Sequence, residues 1–272
     1  MTLIRQDNDL FQRPRAKNVV VSVSRAPESE RINRALRLLT AVTRAARRAT
    51  DIASLRVEIC DIVIGVGGYC LAWIGGAENG PDRRVVPLAR AGKHVAYLDR
   101  VVVTWDEAPT GQGPVGTAIR TGEAVVIRDI AADPRFAPWR APALDHGFRS
   151  VAAFPLSLDG QVRGAMALYA ASTDAFHPEE CSLLADLADE VSFAVNALRA
   201  ASSRQEAETA LRRSEASLAR AQRIANVGSW EWDLRSNKVV WSDQTFNLFG
   251  LDPADVEPSP ELLLNFAHPE DR

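Results

Sequence analysis

From Arg31 the apolar residues Ile32, Leu36, Leu39, Val42 and Ala46 recur at three- and four-residue steps, the period of one face of an α-helix. A second helical stretch over residues 51–64 follows, with Asp51 as its N-cap, and Gly65 and Gly67-Gly68 end it. The texture then changes to short runs of β-branched, aromatic and small residues divided by turn residues. Strands are predicted over 69–74, 84–89, 98–105, 124–128, 150–158 and 161–171. Asp159-Gly160 joins the last two, a pair that accepts the positive φ of a tight hairpin turn and so predicts antiparallel pairing. Strands joined by hairpins and bracketed by helices predict an α+β domain.

A long helix is predicted from Pro178. Its apolar positions Leu184, Leu187, Val191, Ala194, Leu198 and Ala201 alternate three- and four-residue steps, and Leu211, Leu218 and Ala225 continue at sevens after a slip near Gln205. Sustained sevens with Arg, Glu and Gln outside them predict a helix that buries its seam against a copy of itself; the plainer alternative is one folded back on its own domain. After Asn226-Val227-Gly228 the chain changes again, to Trp230-Glu231-Trp232-Asp233, a strand with both indoles on one face. A turn at Ser236-Asn237 leads to Val239-Val240-Trp241, and short helices are predicted over 245–249 and 261–266. Two strands are fewer than an independently stable sheet needs.

Composition narrows the class without naming a chemistry. At 272 residues, 46% hydrophobic and 25% charged, the chain has room for one full domain and part of another. Residues 1–50 carry eleven Lys/Arg against four Asp/Glu, leaving 21 against 31 for the remainder. These arginines follow a helical pattern with no interleaved aromatics, so a solvated helix face is preferred to a nucleic-acid arm. The first thirty residues are polar and irregular, a flexible lead. No secretory signal and no membrane-length apolar run is found, and the expected location is cytoplasmic. The odd number of cysteines, Cys60, Cys70 and Cys181, with no C-x-x-C pair, fits reduced thiols rather than disulfides or zinc.

One short motif invites a nucleotide reading. Residues Gly111 to Gly116, GQGPVG, match G-x-G-x-x-G, which cradles a pyrophosphate when it follows a strand directly and opens a long helix. Here Asp106-Glu107-Ala108-Pro109-Thr110 separates the glycines from the preceding β-rich run, and the following helix meets Gly122 after barely two turns. The context disfavours a dinucleotide site, although Asp129 stands near the distance of a ribose-binding acid.

The block GQGPVGTAIRTGEAVVIRDIAADPRFAPWRAPALDHGFRSVAAFPLSLDGQVRGAMALYA closely resembles a GAF domain of bacterial multi-domain signalling proteins, over about residues 32–198. SEASLARAQRIANVGSWEWDL, with VVWSDQTFNLFGL and HPEDR after it, resembles the opening half of a PAS domain. The resemblance implies a flexible basic lead (1–30), a GAF domain (31–198) with a six-stranded antiparallel sheet, a coiled-coil signalling helix (199–225) and a partial PAS unit (226–272). It further implies a small-molecule pocket on one sheet face, roofed by residues 105–120 and 130–149, and dimerising helices on the other. The glycines of the motif then turn the backbone tightly into a short roof helix, with positive φ as the expected reason.

Within that frame Trp105, Phe136, Trp139, Arg140, Phe148, Arg149 and Ser150 are the ligand-binding candidates, aromatic walls with a few donors. Arg140 and Arg149 suit a carboxylate or phosphate. Each also has a packing alternative: Phe136 and Trp139 as core plugs, Arg149 as a helix cap or a partner of Asp129 or Asp133. No catalytic residue and no metal ligand is assigned, and the cofactor is left unknown. Some GAF-fold proteins reduce free methionine sulfoxide, and others attach a bilin, through cysteines in the roof; residues 130–150 contain none, and Val115 stands in the glycine motif. The N-K-x-n-F-x-x-x-D-E pattern of cyclic-nucleotide binding is also missing. The expected function is a non-enzymatic sensory module binding a small molecule or partner. It would form a homodimer through Ile32, Leu36, Leu39, Leu187, Val191, Leu198, Leu211 and Leu218, and relay to an output domain such as a histidine kinase or a cyclic-di-nucleotide enzyme.

Overall fold

The structure is a computed structural model that describes residues 28–266; the flexible lead expected before residue 28 and the His268 to Arg272 segment lie outside the described residues. Helices α1 (Glu28–Arg48) and α2 (Ile52–Gly67) come first. The Asp51 side chain accepts the Ser54 N–H at 2.8 Å, satisfying one of the unpaired donors of the first turn of α2. Gly68 closes the helix in the left-handed conformation, φ 71°, returning its N–H to the Ile64 carbonyl.

Strands β1 (Leu71–Ala77), β2 (Val85–Gly92), β3 (Val125–Ile127), β4 (Ser150–Leu158) and β5 (Gln161–Ala170) form one sheet in the order β2-β1-β5-β4-β3, every pair antiparallel. Asp159 and Gly160 both take positive φ, 51° and 73°, at the β4–β5 turn, as the hairpin signal required. The sixth strand expected over 98–105 is replaced. Residues Val95–Asp99 wind into a 3-10 turn, and pairing is reduced to one antiparallel bridge, Arg84 with Thr104. The Thr104 N–H is given to the Thr110 carbonyl of its own loop, so the β-branched run has backbone partners but no continuous ladder.

The sheet separates two apolar layers. On one face Ala72, Ile74, Ala152, Phe154, Met166 and Leu168 pack against Leu38 and Val42 of α1, Ile59 and Val63 of α2, and the first half of α5 (Pro178–Ala225). On the other, Leu71, Trp73, Val151, Ala153, Ala165 and Tyr169 meet the roof, built from α3 (Pro114–Thr121), the 3-10 turn Pro134–Trp139 and α4 (Arg140–Asp145). This alternation is the period-2 consequence of a strand with both faces covered.

At 48 residues, α5 is about 72 Å long at 1.5 Å per residue. Its C-terminus is closed by Asn226 at φ 52°. Strands β6 (Trp230–Asp233) and β7 (Lys238–Trp241) then pair antiparallel, followed by α6 (Asp243–Phe249) and α7 (Pro260–Phe266). A small core of Val239, Trp241 and Phe246 joins them. Trp230 and Trp232, the register partners of Trp241 and Val239 and so on the same face as that core, remain 53% and 42% exposed, so this face of the two-stranded ribbon is only partly covered.

Candidate functional site: the roof and the stem helix

The glycine motif lies inside the roof, and its residues serve close packing. Gly113 is the N-cap of α3 at φ −70°, and neither Gly111 nor Gly116 takes positive φ, which corrects the conformational reason expected from sequence. A Cβ on Gly111 would lie 2.1 Å from the Asp106 carbonyl oxygen; one on Gly116 would lie 2.3 Å from that of Gly111 and 2.4 Å from that of Thr104. A Cβ on Gly113 would enter the Trp139 ring. Arg120 completes the loop from α3, donating through Nη1 to the carbonyls of Asp106 and Gly111, each at 2.6 Å.

The structure brings three of the seven ligand candidates together as packing. Phe136, Trp139 and Phe148 are 1%, 4% and 0% exposed and meet Tyr97 and Tyr169, with Phe148 at 4.9 Å between ring centroids from Tyr169 and 5.3 Å from Tyr97. Around Tyr97 and Tyr169 the space between sheet and roof is therefore filled by this chain's own aromatics, while a cavity of about 260 Å³ remains toward the β2 edge beside Trp73, Val85 and Leu98. Trp139 also donates its indole N–H to the Val102 carbonyl at 2.8 Å, tying the roof to the segment that replaces the sixth strand. Arg140 donates to the carbonyls of Ile130 and Asp133, at 3.2 and 2.8 Å, a backbone clamp within the roof. Ser150, fully buried, donates to the Ser172 carbonyl at 2.8 Å.

Of the other two candidates, Trp105 packs at the margin of this layer and Arg149 lies outside it. Trp105 lies at the β1–β2 hairpin, donating its indole N–H to the Glu78 carbonyl at 2.9 Å, with the Arg83 guanidinium 4.6 Å over its ring. Arg149 is exposed; its backbone N–H donates to Ala170 and its carbonyl accepts from Ile130. Asp133, one of the acids considered for Arg149, pairs with Arg135 at 2.6 Å instead. That hydrogen bond from Arg135 holds the Asp133 carboxyl below its usual range.

Sequence reasoning passed over Trp73, Tyr97 and Tyr169, which complete the buried aromatic layer. The alternation of Leu71 and Trp73 against Ala72 and Ile74 was the available signal. Burial pushes the Tyr169 phenol up to about 12, and burial with the neighbouring Tyr169 drives Tyr97 higher still. Glu180 was also missed. Only 1% exposed, it accepts from Arg34 at 2.5 Å and from the Tyr69 hydroxyl at 2.9 Å, joining α1, the α2–β1 connection and the start of α5. Its second oxygen and the Arg34 Nε are buried without a hydrogen-bond partner.

The three thiols lie outside the roof loops. Cys60 is buried on α2, and burial pushes it up to about 12; Cys181, at the start of α5, is pushed up to about 11, and Cys70 is also raised by burial. Thiols so shifted are protonated near neutral pH and poor nucleophiles. Among the described residues no group of three His, Cys, Asp or Glu side chains is placed to hold a metal, and no helix is long and apolar enough to cross a membrane.

The stem helix carries a second surface. Leu184, Leu187, Val191 and Ala194 are buried against the chain's own sheet and α1, so the expected dimer contacts Leu187 and Val191 are corrected to intramolecular core. Leu39 and Leu198 are partly buried on the same core, and Ile32 is half-buried, whereas Leu36, Leu211 and Leu218 are 45%, 60% and 61% exposed. Tracing back from Leu218 at alternating steps of four and three reaches Ser214, Leu211, Ala207, Arg204, Ala200, Ala197 and Phe193, all exposed, with Phe193 70% exposed. This stripe needs no slip near Gln205, because it begins on the outer face of α5 rather than on the face turned to the sheet.

The profile of the GAF domain family matches residues 49–196, more than half of the chain. The chain belongs to the GAF domain family. The GAF unit is similar in fold to the free methionine-R-sulfoxide reductase of Neisseria meningitidis, at 19% identity and TM-score 0.52 over 61% of this chain and 91% of that one. It is similar, too, to the GAF domain of a phosphoenolpyruvate-protein phosphotransferase from Coxiella burnetii, at 14% identity and TM-score 0.52 over 63% of this chain and 98% of that one. No curated protein matches the sequence. At these identities the likeness establishes the GAF fold and leaves open which of its functions this chain performs.

Proposed function

We propose that this chain is a non-enzymatic sensory or regulatory module in which the GAF domain governs a self-paired helix leading to the PAS-like unit and on to an output domain. The observation that carries this is the continuous run of α5, docked on the sheet by one face as far as Val195 and bearing on its outer face an exposed, mainly apolar stripe from Phe193 to Leu218. A solvated helix has no use for a 4-3 stripe that is Phe, Ala or Leu at six of its eight positions, Arg204 and Ser214 excepted, whereas two parallel copies bury it. Leu36 on α1 extends the apolar outer surface beside the GAF core.

The docking of α5 supplies the coupling. Ser192 Oγ accepts the Ser157 N–H at 3.0 Å, and the Asn196 amide donates to the Ser157 carbonyl at 3.0 Å and accepts the Asp159 N–H at 2.9 Å. Arg199 adds an ion pair to Asp159 at 3.1 Å. A change in the sheet that shifts the β4–β5 hairpin therefore pulls on α5 where it leaves the domain, and a two-state coiled coil converts that pull into a population shift. Because Phe136, Trp139 and Phe148 fill the roof, a ligand there would enter only with their rearrangement, which makes the roof the moving part. The raised thiols, none of them in the roof, support a role without covalent chemistry.

Cysteines placed at Leu211 or Leu218 should cross-link between copies under mild oxidation, and one at Leu187 should not. A chain sedimenting as a monomer at every concentration tested would end this reading.

A further inference from the structure

On the sheet face opposite the roof, α2 and α5 diverge toward the hairpin ends and leave a hole of about 60 Å³. Gly75 of β1 and Gly164 of β5 line it on the sheet side, so that part of the floor carries no side chains. The walls are mainly Ile74, Leu88, Leu156, Val191 and Val195. Two serines stand in the wall: Ser192 Oγ is already engaged, donating to the Ala188 carbonyl and accepting the Ser157 N–H, and Ser157 adds a second hydroxyl. At about 10–15 Å³ per water the hole has room for several waters, but each water needs two to four polar partners and the mainly apolar inner walls offer few. A few carbon atoms fit it better.

The hole opens into a cleft of about 590 Å³ that shares Arg56, Leu88, Leu158 and Arg163 with it and adds Arg199, Glu78 and Asp159. Arg199 and Asp159 neutralise one another. Arg163 is hydrogen-bonded to the neutral Gln161. The Arg56 guanidinium, half-buried on α2, has no hydrogen-bond or ion-pair partner among the described residues, and desolvation alone lowers its pKa. Two guanidiniums without a carboxylate partner thus stand at the mouth of an apolar hole, with Glu78 the only unpaired acid in the lining.

We propose that this cleft binds a small anion bearing a short aliphatic tail, its carboxylate or phosphate held by Arg56 and Arg163 and its tail lying over Gly164 against Val195 and Leu88. Guanidinium forks recognise both anion types bidentately, and partial burial of Arg56 strengthens the attraction. The site is separated from the roof by the whole sheet, and its binding does not depend on how α5 pairs.

The test is calorimetric titration of the 272-residue chain at low salt with hexanoate, hexyl phosphate, hexanol and inorganic phosphate. Saturable binding of hexanoate, hexyl phosphate or both at one site per chain, with hexanol and inorganic phosphate at least about tenfold weaker, supports the proposal; which of the two anions binds more tightly identifies the head group. Arg56→Met and Arg163→Met should each weaken binding about tenfold, the loss of one charge-assisted contact. Val195→Phe should abolish it by filling the hole, and Leu88→Phe, at the exposed rim, provides the same readout if the core variant does not fold. Equal binding of hexanol and hexanoate, binding unchanged by both arginine variants, or no saturation by either anion would overturn it.

Discussion

Glu180 illustrates how much one buried charge constrains. Its carboxylate is held by Arg34 and Tyr69, and Arg34 lies 5.7 Å over the Tyr69 ring, while Tyr69 stacks on Phe176 at 5.6 Å. Removing one partner of a buried pair commonly costs about 3–5 kcal/mol, and the 30% exposure of the Arg34 side chain reduces this by letting water reach the site. Arg34→Met is expected to destabilise the domain by about 2 kcal/mol in urea denaturation. Glu180→Gln in the same chain should recover part of that loss, because it removes the stranded charge. Additive effects in this double-mutant cycle would contradict the coupling. Nothing in the spacing of Arg34 and Glu180, 146 residues apart, announced the pair.

Among the elements, those governed by local signals were legible. The Asp51 N-cap, the Asp159-Gly160 hairpin and the limits of α5 follow from side-chain capping, positive-φ tolerance and a proline at the first helical turn. The run over 98–105 was not, since β-propensity describes a fit to a pleated surface and the partner edge is supplied by tertiary placement. The roof turn Pro134–Trp139 is capped by Asp133, which accepts the Arg135 N–H at 2.9 Å. With its carboxyl held below the usual range by Arg135, Asp133 contributes stability at neutral pH that is fully present above the unfolded value near 4 and is lost as pH falls through the lower folded value. Asp133→Asn should therefore be less stable than the parent at pH 7, with the difference narrowing below about pH 4 in thermal melts. A gap constant from pH 7 to pH 2 would refute this assignment.

For the whole molecule the decisive surface is the outer stripe of α5. Phe193 is 70% exposed in a helix whose neighbouring positions Ser192 and Ala194 are buried, so a polar replacement there leaves the domain core untouched. Phe193→Asp should lower the dimer fraction in sedimentation at low micromolar concentration while the thermal midpoint of the GAF domain stays within about 2 °C of the parent. A dimer unaffected by this change would place the interface elsewhere. The candidate ligand residues carry the same lesson at this scale. Phe136, Trp139 and Phe148 have the composition of a pocket wall, yet they close on one another; Trp105 packs at the margin of that layer, beside the β1–β2 hairpin.

The order of helices and strands, the α+β class, the hairpin, the break after Ala225 and the GAF membership were set by the sequence alone. Each depends on periodicity, on turn chemistry or on a motif that acts within a few neighbouring residues. Tertiary structure decided the rest: five strands in the sheet, which of two apolar stripes on α5 is core, why three glycines admit no side chain, and that Arg56 and Arg163 line one cleft. Those outcomes depend on which surfaces remain after the layers close over one another, and a linear pattern carries no record of what another element has already covered.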